Sequence, residues 1–188
     1  LCEEICEHFL TDYQMDRNVC QDGLCFSYSP IDTYHIHNAN LSIGEFFSCV
    51  GTATGKTKYL EIAKQCANYA IHEMDADGFL SYWGNDQETT DYEDIYHAGY
   101  EARHLLNIGI NCSYESAKQA GILRYEHMIK TFVENGVPWM RLPKDRVDMH
   151  GCAEAIICSV EMLNYSPKAR GVIESCIAWA SKNAKATD

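Results

Sequence analysis

The chain has 188 residues, 46% hydrophobic and 22% charged, which is enough for a packed core and argues against disorder. Its formal charge of −12 is spread along the whole length without a basic run, so neither nucleic acid nor an anionic membrane surface is an expected partner. No apolar stretch approaches the roughly 18 residues of a membrane span.

Ten cysteines would suggest a disulfide framework in a secreted chain. Here Cys2, Cys6, Cys49, Cys66, Cys158 and Cys176 fall inside apolar helical patterns, where cysteine packs as a small hydrophobe. Reduced thiols, and with them a cytoplasmic location, are the expectation.

In chain order, an amphipathic helix is predicted from Cys2 to about Tyr13. The loop Asp22 to Asp32 follows, and His37 opens a small-residue-rich run. Gly51 to Lys56 reads as a tight turn into a second amphipathic helix, Lys58 to Met74. There Leu60, Ala63, Ala67, Ala70 and Ile71 form a stripe of 3.6-residue period opposite Lys58, Glu61, Lys64 and Gln65. The loop Asp77 to Trp83 leads to His97 and a run to Ile108, and Glu115 to Glu134 is the next amphipathic helix. Asn135 to Asp145 aligns without gaps on Asp22 to Asp32, and His150, like His37, stands five residues past the matched aspartate. It opens a run to Leu163, and the last helix spans Pro167 to about Asn183.

One unit therefore recurs at a period of roughly 55 to 60 residues, as expected of two helices and a long loop. The units are about 1–52, 57–109 and 114–163, with 166–183 starting a fourth whose loop aspartate would be Asp188. Helices with one charged face are outer helices. Those after the histidines carry few charges and read as inner helices packed all round. The fold class is all-α, a helical-hairpin α/α toroid forming an incomplete barrel of about three hairpins plus a flanking helix. An arc leaves an apolar face on its edge inner helices, to be buried by the remainder of a longer chain or by a second copy.

The stretches Tyr28-Ser29-Pro30-Ile31-Asp32, His37-Asn38-Ala39-Asn40-Leu41, Asp77-Gly78-Phe79, Asp94-Ile95-Tyr96-His97-Ala98-Gly99-Tyr100 and Asp148-Met149-His150-Gly151 resemble the α/α-toroid proteins of bacterial polysaccharide loci, related to the C-terminal domain of glucuronyl epimerases. The resemblance implies a carbohydrate ligand. It does not choose a reaction, since toroids host glycosidases, lyases, epimerases and terpene or peptide cyclases.

In a toroid the inner-helix ends and long loops converge on one cavity mouth. Tyr28, Asp32, Tyr34, His35, His37, Asn38 and Asn40 from the first unit are expected there, with Tyr82 and Trp83 from the second and Trp139, Arg141 and Glu154 from the third, as substrate-binding residues. Flat aromatics cover a sugar face, Asp, Asn and His bond hydroxyls, and Arg141 would hold a uronate or phosphate. The expected catalytic residues are Asp94, Tyr96, His97, Tyr100, Glu101, Asp148 and His150. A hydrolase would use two of the carboxylates, whereas an epimerase or lyase would use Tyr and His as acid and base.

Structural readings compete at each position. The three histidines recur at one repeat position and would serve to bond backbone at a helix start. Asp-Gly pairs form turns, Asp32 and Asp145 would cap inner helices, and Tyr28, Tyr82 and Trp139 would plug the core. Tyr100 and Glu101 have no counterpart as a pair in the other units, a deviation that a local functional demand would produce. No cofactor or metal is expected: His150-Gly151-Cys152 reverses the Cys-His-Gly order of zinc peptide cyclases, and Asp75-Ala76-Asp77-Gly78 lacks the downstream Glu of a calcium loop. A non-catalytic interaction module of a polysaccharide pathway is the first alternative function, and an isoprenoid- or peptide-cyclase-like toroid the second.

Overall fold

The computed structural model describes residues 1–86 and 92–183. Among these the fold is all-α, with helices α1 Cys2–Asp12, α2 His37–Thr54, α3 Thr57–Glu73, α4 Ile95–Asn111, α5 Glu115–Phe132, α6 Met149–Glu161 and α7 Ala169–Asn183. Asp188 lies outside the described residues. No helix among them is long and apolar enough to cross a membrane.

Strands occur only as two short antiparallel pairs within loops. β1 Met15–Asp16 pairs with β2 Cys25–Phe26, and β3 Val133–Glu134 pairs with β4 Val137–Pro138. The second pair corrects the expected end of the fifth helix. Asn135 and Gly136 both adopt positive φ, 53° and 78°, the signature of a two-residue hairpin turn, so the chain leaves the helix at Phe132 and pairs Glu134 with Val137.

Helices α2, α4 and α6 lie side by side, and α3, α5 and α7 each pack on the inner helix that precedes them. Left-handed Gly55 (φ 72°) ends α2 and turns the chain into α3. Two clusters make the core. Leu41, Phe47, Tyr59, Ala63, Cys66, Leu105 and Ile108 fill the space between the first two hairpins. Ile95, Ala102, Leu106, Tyr125, Met128, Cys158 and Cys176 fill that between the second and third. Each fully buried large aliphatic or aromatic side chain contributes about 1.5–3 kcal/mol over its exposed state.

The two edges of this array differ. Phe9 of α1 packs edge-on against Phe46 and at a tilt against Phe47, covering part of the outward side of α2. The far side of α6 exposes Met149, Ile157 and Val160 at about half their surface.

One buried charge cluster ties the second unit together. Arg124 of α5 is fully buried and donates from Nε to Glu101 Oε2 of α4 at 2.9 Å. Nη1 donates to Gly78 O at 3.1 Å and Nη2 to Leu80 O at 3.2 Å. Nη1 also bonds Glu93, whose carboxylate meets His127 Nε2 at 3.1 Å. Gly78 must be glycine: its φ is 86°, and a Cβ there would stand 2.7 Å from Leu123 O.

None of the ten cysteines is bonded to another. Cys2 and Cys49 are exposed and seven are buried, so a thiol reagent should label these two first in the native protein and the buried seven only on unfolding, followed by mass spectrometry. Arg124→Met leaves Glu101 buried without its counter-charge and should cost about 3–5 kcal/mol in urea unfolding, whereas an Arg124→Met, Glu101→Leu double variant should recover much of that loss.

Candidate functional site

The site forms where the N-terminal ends of α4 and α6 meet. Asp94 caps α4: its Oδ1 accepts the His97 backbone N–H at 2.9 Å, and its Oδ2 lies 2.7 Å from His97 Nδ1. Asp94 is fully buried, so this contact holds the imidazole in one orientation, with Nε2 available to a ligand. Asp148 caps α6 by accepting the His150 N–H at 2.8 Å. The capping aspartates are therefore Asp94 and Asp148, not Asp32 and Asp145. Asp32 closes its own loop, accepting Tyr28 N at 3.1 Å and Tyr34 N at 3.0 Å and bonding Ser29.

Between the two caps the side chains converge. The Tyr96 ring stacks on His150, centroids 4.9 Å apart and planes within 6°. The Tyr100 hydroxyl bonds His150 Nε2. Tyr82 packs edge-on against His97 at 4.7 Å and against Trp83 at 5.1 Å, and Trp83 meets Tyr34 at 5.8 Å. The backbone bridge Ser27–His35 closes the loop of the first unit, and Ile36–Trp83 joins it to the loop of the second, which sets this aromatic row in place. Tyr28 and Tyr34 are about half exposed at its outer end. Burial raises the Tyr100 and Tyr96 hydroxyls above the ordinary tyrosine value, with Glu154 adding to the effect at Tyr100 and Asp94 at Tyr96.

The approach of α4 and α6 relies on two glycines. A Cβ on Gly99 would stand 2.6 Å from Glu154 Cγ, and one on Gly151 would stand 2.5 Å from Ile95. A larger residue at either position would force Glu154 or Ile95 to shift at the contact between the helices that bring Tyr100 to His150.

Several expected site residues are not at this mouth. His37 is fully buried, with Nε2 2.9 Å from Glu73 and its ring on Tyr69. Asn40 is buried as a backbone strut, accepting Phe26 N and donating to Leu24 O, both at 3.0 Å. Glu101 is sealed against Arg124; burial raises its carboxyl, opposed by Arg124. His35 is buried between Asp86 at 2.8 Å and Asp16 at 3.7 Å. Arg141 lines a separate cavity of about 270 Å³ with Phe79, Tyr92 and Phe132. Trp139 is pinned through its backbone, whose N–H donates to Phe132 O and which forms a bridge with Val147. Cys152 is buried in the core.

The structure adds Arg103, His104, Asn107 and Asn111 to the expected residues. Along α4 the half-buried positions Tyr100, Arg103, Asn107 and Asn111 form a polar stripe, and Tyr96 at its start packs on the second core cluster. Arg103 Nε donates to Glu161 at 2.8 Å and Nη1 to Glu154 at 3.0 Å. Asn107 Nδ2 donates to Glu45 at 2.9 Å and to Glu161 at 3.2 Å, and His104 Nδ1 bonds Glu45. Inner helix α4 is thus not packed all round. Its helical spacing of polar residues was the available signal, hidden by the low charge count of the run as a whole. Asn38 and Glu154 belong to this stripe: Asn38 lines a groove between α2 and α4, and Glu154 is buried beneath Arg103, which burial leaves above the usual carboxylate range.

No protein-family model matches the chain, and no curated protein matches it significantly.

Asp94→Ala removes a cap and the His97 tether together and should lower stability by about 1–2 kcal/mol in chemical unfolding, with Asp148→Ala costing about 1 kcal/mol.

Proposed function

We propose that this chain is the glycan-binding arc of an α/α toroid, with its ligand at the paired ends of α4 and α6. The observation that carries the reading is the Tyr100–His150 hydrogen bond set within a row of partly exposed rings, Tyr34, Trp83, Tyr82 and Tyr96. Aromatic faces cover the apolar side of a pyranose, and adjacent polar groups bond its hydroxyls. The exposed apolar face of α6 suits a further inner helix of the same array, which supports the toroid arrangement. The bonded state of none of the ten thiols to another fits a cytoplasmic setting.

In this reading Tyr100 is the proton donor: its hydroxyl, kept protonated because burial disfavours the phenolate, gives its proton to the ligand, and protonated His150 returns one to the phenolate oxygen across their shared bond. The carboxylates are otherwise engaged: Asp94 and Asp148 cap helices, Glu101 pairs with Arg124, and Glu154 pairs with Arg103. This favours Tyr–His acid–base chemistry of the epimerase or lyase kind over a hydrolase working with two free carboxyls.

Tryptophan fluorescence and calorimetry with defined oligosaccharides test the binding. Trp83→Ala should weaken affinity about tenfold, roughly 1.4 kcal/mol. Turnover is read by mass spectrometry and by deuterium uptake from solvent, and Tyr100→Phe or His150→Gln should lower it about 10²- to 10⁴-fold with affinity nearly intact. A wild-type protein that binds no oligosaccharide would remove the proposal. Binding unaccompanied by any turnover would leave a carbohydrate-binding module.

A further inference from the structure

The polar stripe of α4 continues from Tyr100 into an open groove of about 400 Å³ between α2 and α4, lined by Asn38, Ala39, Ser42, Tyr100, Arg103 and His104. Tyr100 belongs to both the groove and the Tyr100–His150 pair, so a chain-like ligand held at that pair has this groove as a continuous path.

The groove has a definite charge. Arg103 has Nε committed to Glu161 and Nη1 to both oxygens of Glu154, at 2.8, 3.0 and 3.1 Å. Glu45 holds His104 and Asn107. The basic groups are thus already answered from within the protein: three carboxylates, Glu45, Glu154 and Glu161, face one guanidinium and one imidazole. A ligand carboxylate or sulfate would have to displace one of these acids or stand beside it, and like charges in juxtaposition oppose binding.

The neutral groups are not answered. Asn38 makes no side-chain hydrogen bond among the described residues, and its Oδ1 is buried without a donor. A buried acceptor without a partner carries a desolvation penalty. No bond holds the amide in place, so it is free to turn toward a donor in the groove. Ser42, one helical turn along from Asn38, is exposed on the same wall.

We infer that the groove between α2 and α4 takes neutral flanking residues of a glycan, bonded through hydroxyl or acetamido groups to Asn38 and its neighbours, and discriminates against chains that place anions there, whatever residue the Tyr100–His150 pair acts on. This rests on the glycan reading above and adds to it the substrate class and the path of the chain. Arg103 here is a positioning residue that keeps Glu154 and Glu161 in place, and Asn38 is the specificity contact.

The test is calorimetry of the full chain at low salt with two tetrasaccharides of equal length, one of β-linked N-acetylglucosamine and one of uronic acid. The neutral chain should bind at least tenfold more tightly. Glu161→Gln, which frees part of Arg103, should narrow that gap severalfold, a change that a purely structural Glu161 would not produce. Asn38→Ala should weaken the neutral ligand about tenfold. The wild-type Asn38 side-chain amide signals should also shift in NMR on adding that ligand, a readout that does not depend on the variant folding. Equal or tighter binding of the uronate chain overturns the inference while leaving the glycan site standing. So does neutral binding that perturbs Trp83 but leaves the Asn38 amide unmoved. Binding of neither tetrasaccharide overturns both.

Discussion

Arg124 is the group on which the arrangement of the second unit depends. A guanidinium taken wholly out of water must have its charge and its donors met by the protein, and here the partners come from three places. Glu101 belongs to α4, Gly78 and Leu80 to the start of the long loop, and Glu93 to its end. Both ends of the loop are therefore drawn to one point on α5, and Asp94, the residue after Glu93, is delivered to the start of α4. The cap, the His97 tether and the Tyr82 ring against His97 follow from that delivery.

Close helix approach does the rest. The Tyr100–His150 contact joins residues fifty positions apart, and neither side chain selects the other by local structure. They meet because Gly99 and Gly151 let α4 and α6 come together and because the two capping aspartates start both helices at the same end of the molecule. The glycines and the caps, residues without chemistry of their own, place the groups that have it.

The polar seam beside that contact has two roles in one set of side chains. Glu45, Arg103, Asn107, Glu154 and Glu161 link α2, α4 and α6 through side-chain bonds where an apolar seam would have served packing equally well. Glu154 is buried and its partners are only partly exposed, so these bonds answer charges that the packing has taken out of water. They join three helices through polar contacts instead of apolar packing.

The sequence by itself determined the helices and their order. The stripe Leu60, Ala63, Ala67, Ala70 and Ile71 specifies a helix with one dry face, and Asp22-Gly23, Asp77-Gly78 and Asn135-Gly136 mark turns, because periodicity and turn chemistry are local and are written in neighbouring residues. The histidines near the starts of α2, α4 and α6 were legible for the same reason. Only the tertiary structure decided what each polar residue does. His37, Asn40 and Glu101 are polar residues of the kind expected at a ligand site, yet they are sealed, because Glu73, the loop backbone and Arg124 reach them from distant parts of the chain. Arg103 and Asn107 went unread in the opposite sense: a stripe of polar residues on an inner helix becomes a surface only when its neighbours leave that side open. Burial and partnership are set by contacts between residues far apart in sequence, and no pattern along a single helix records them.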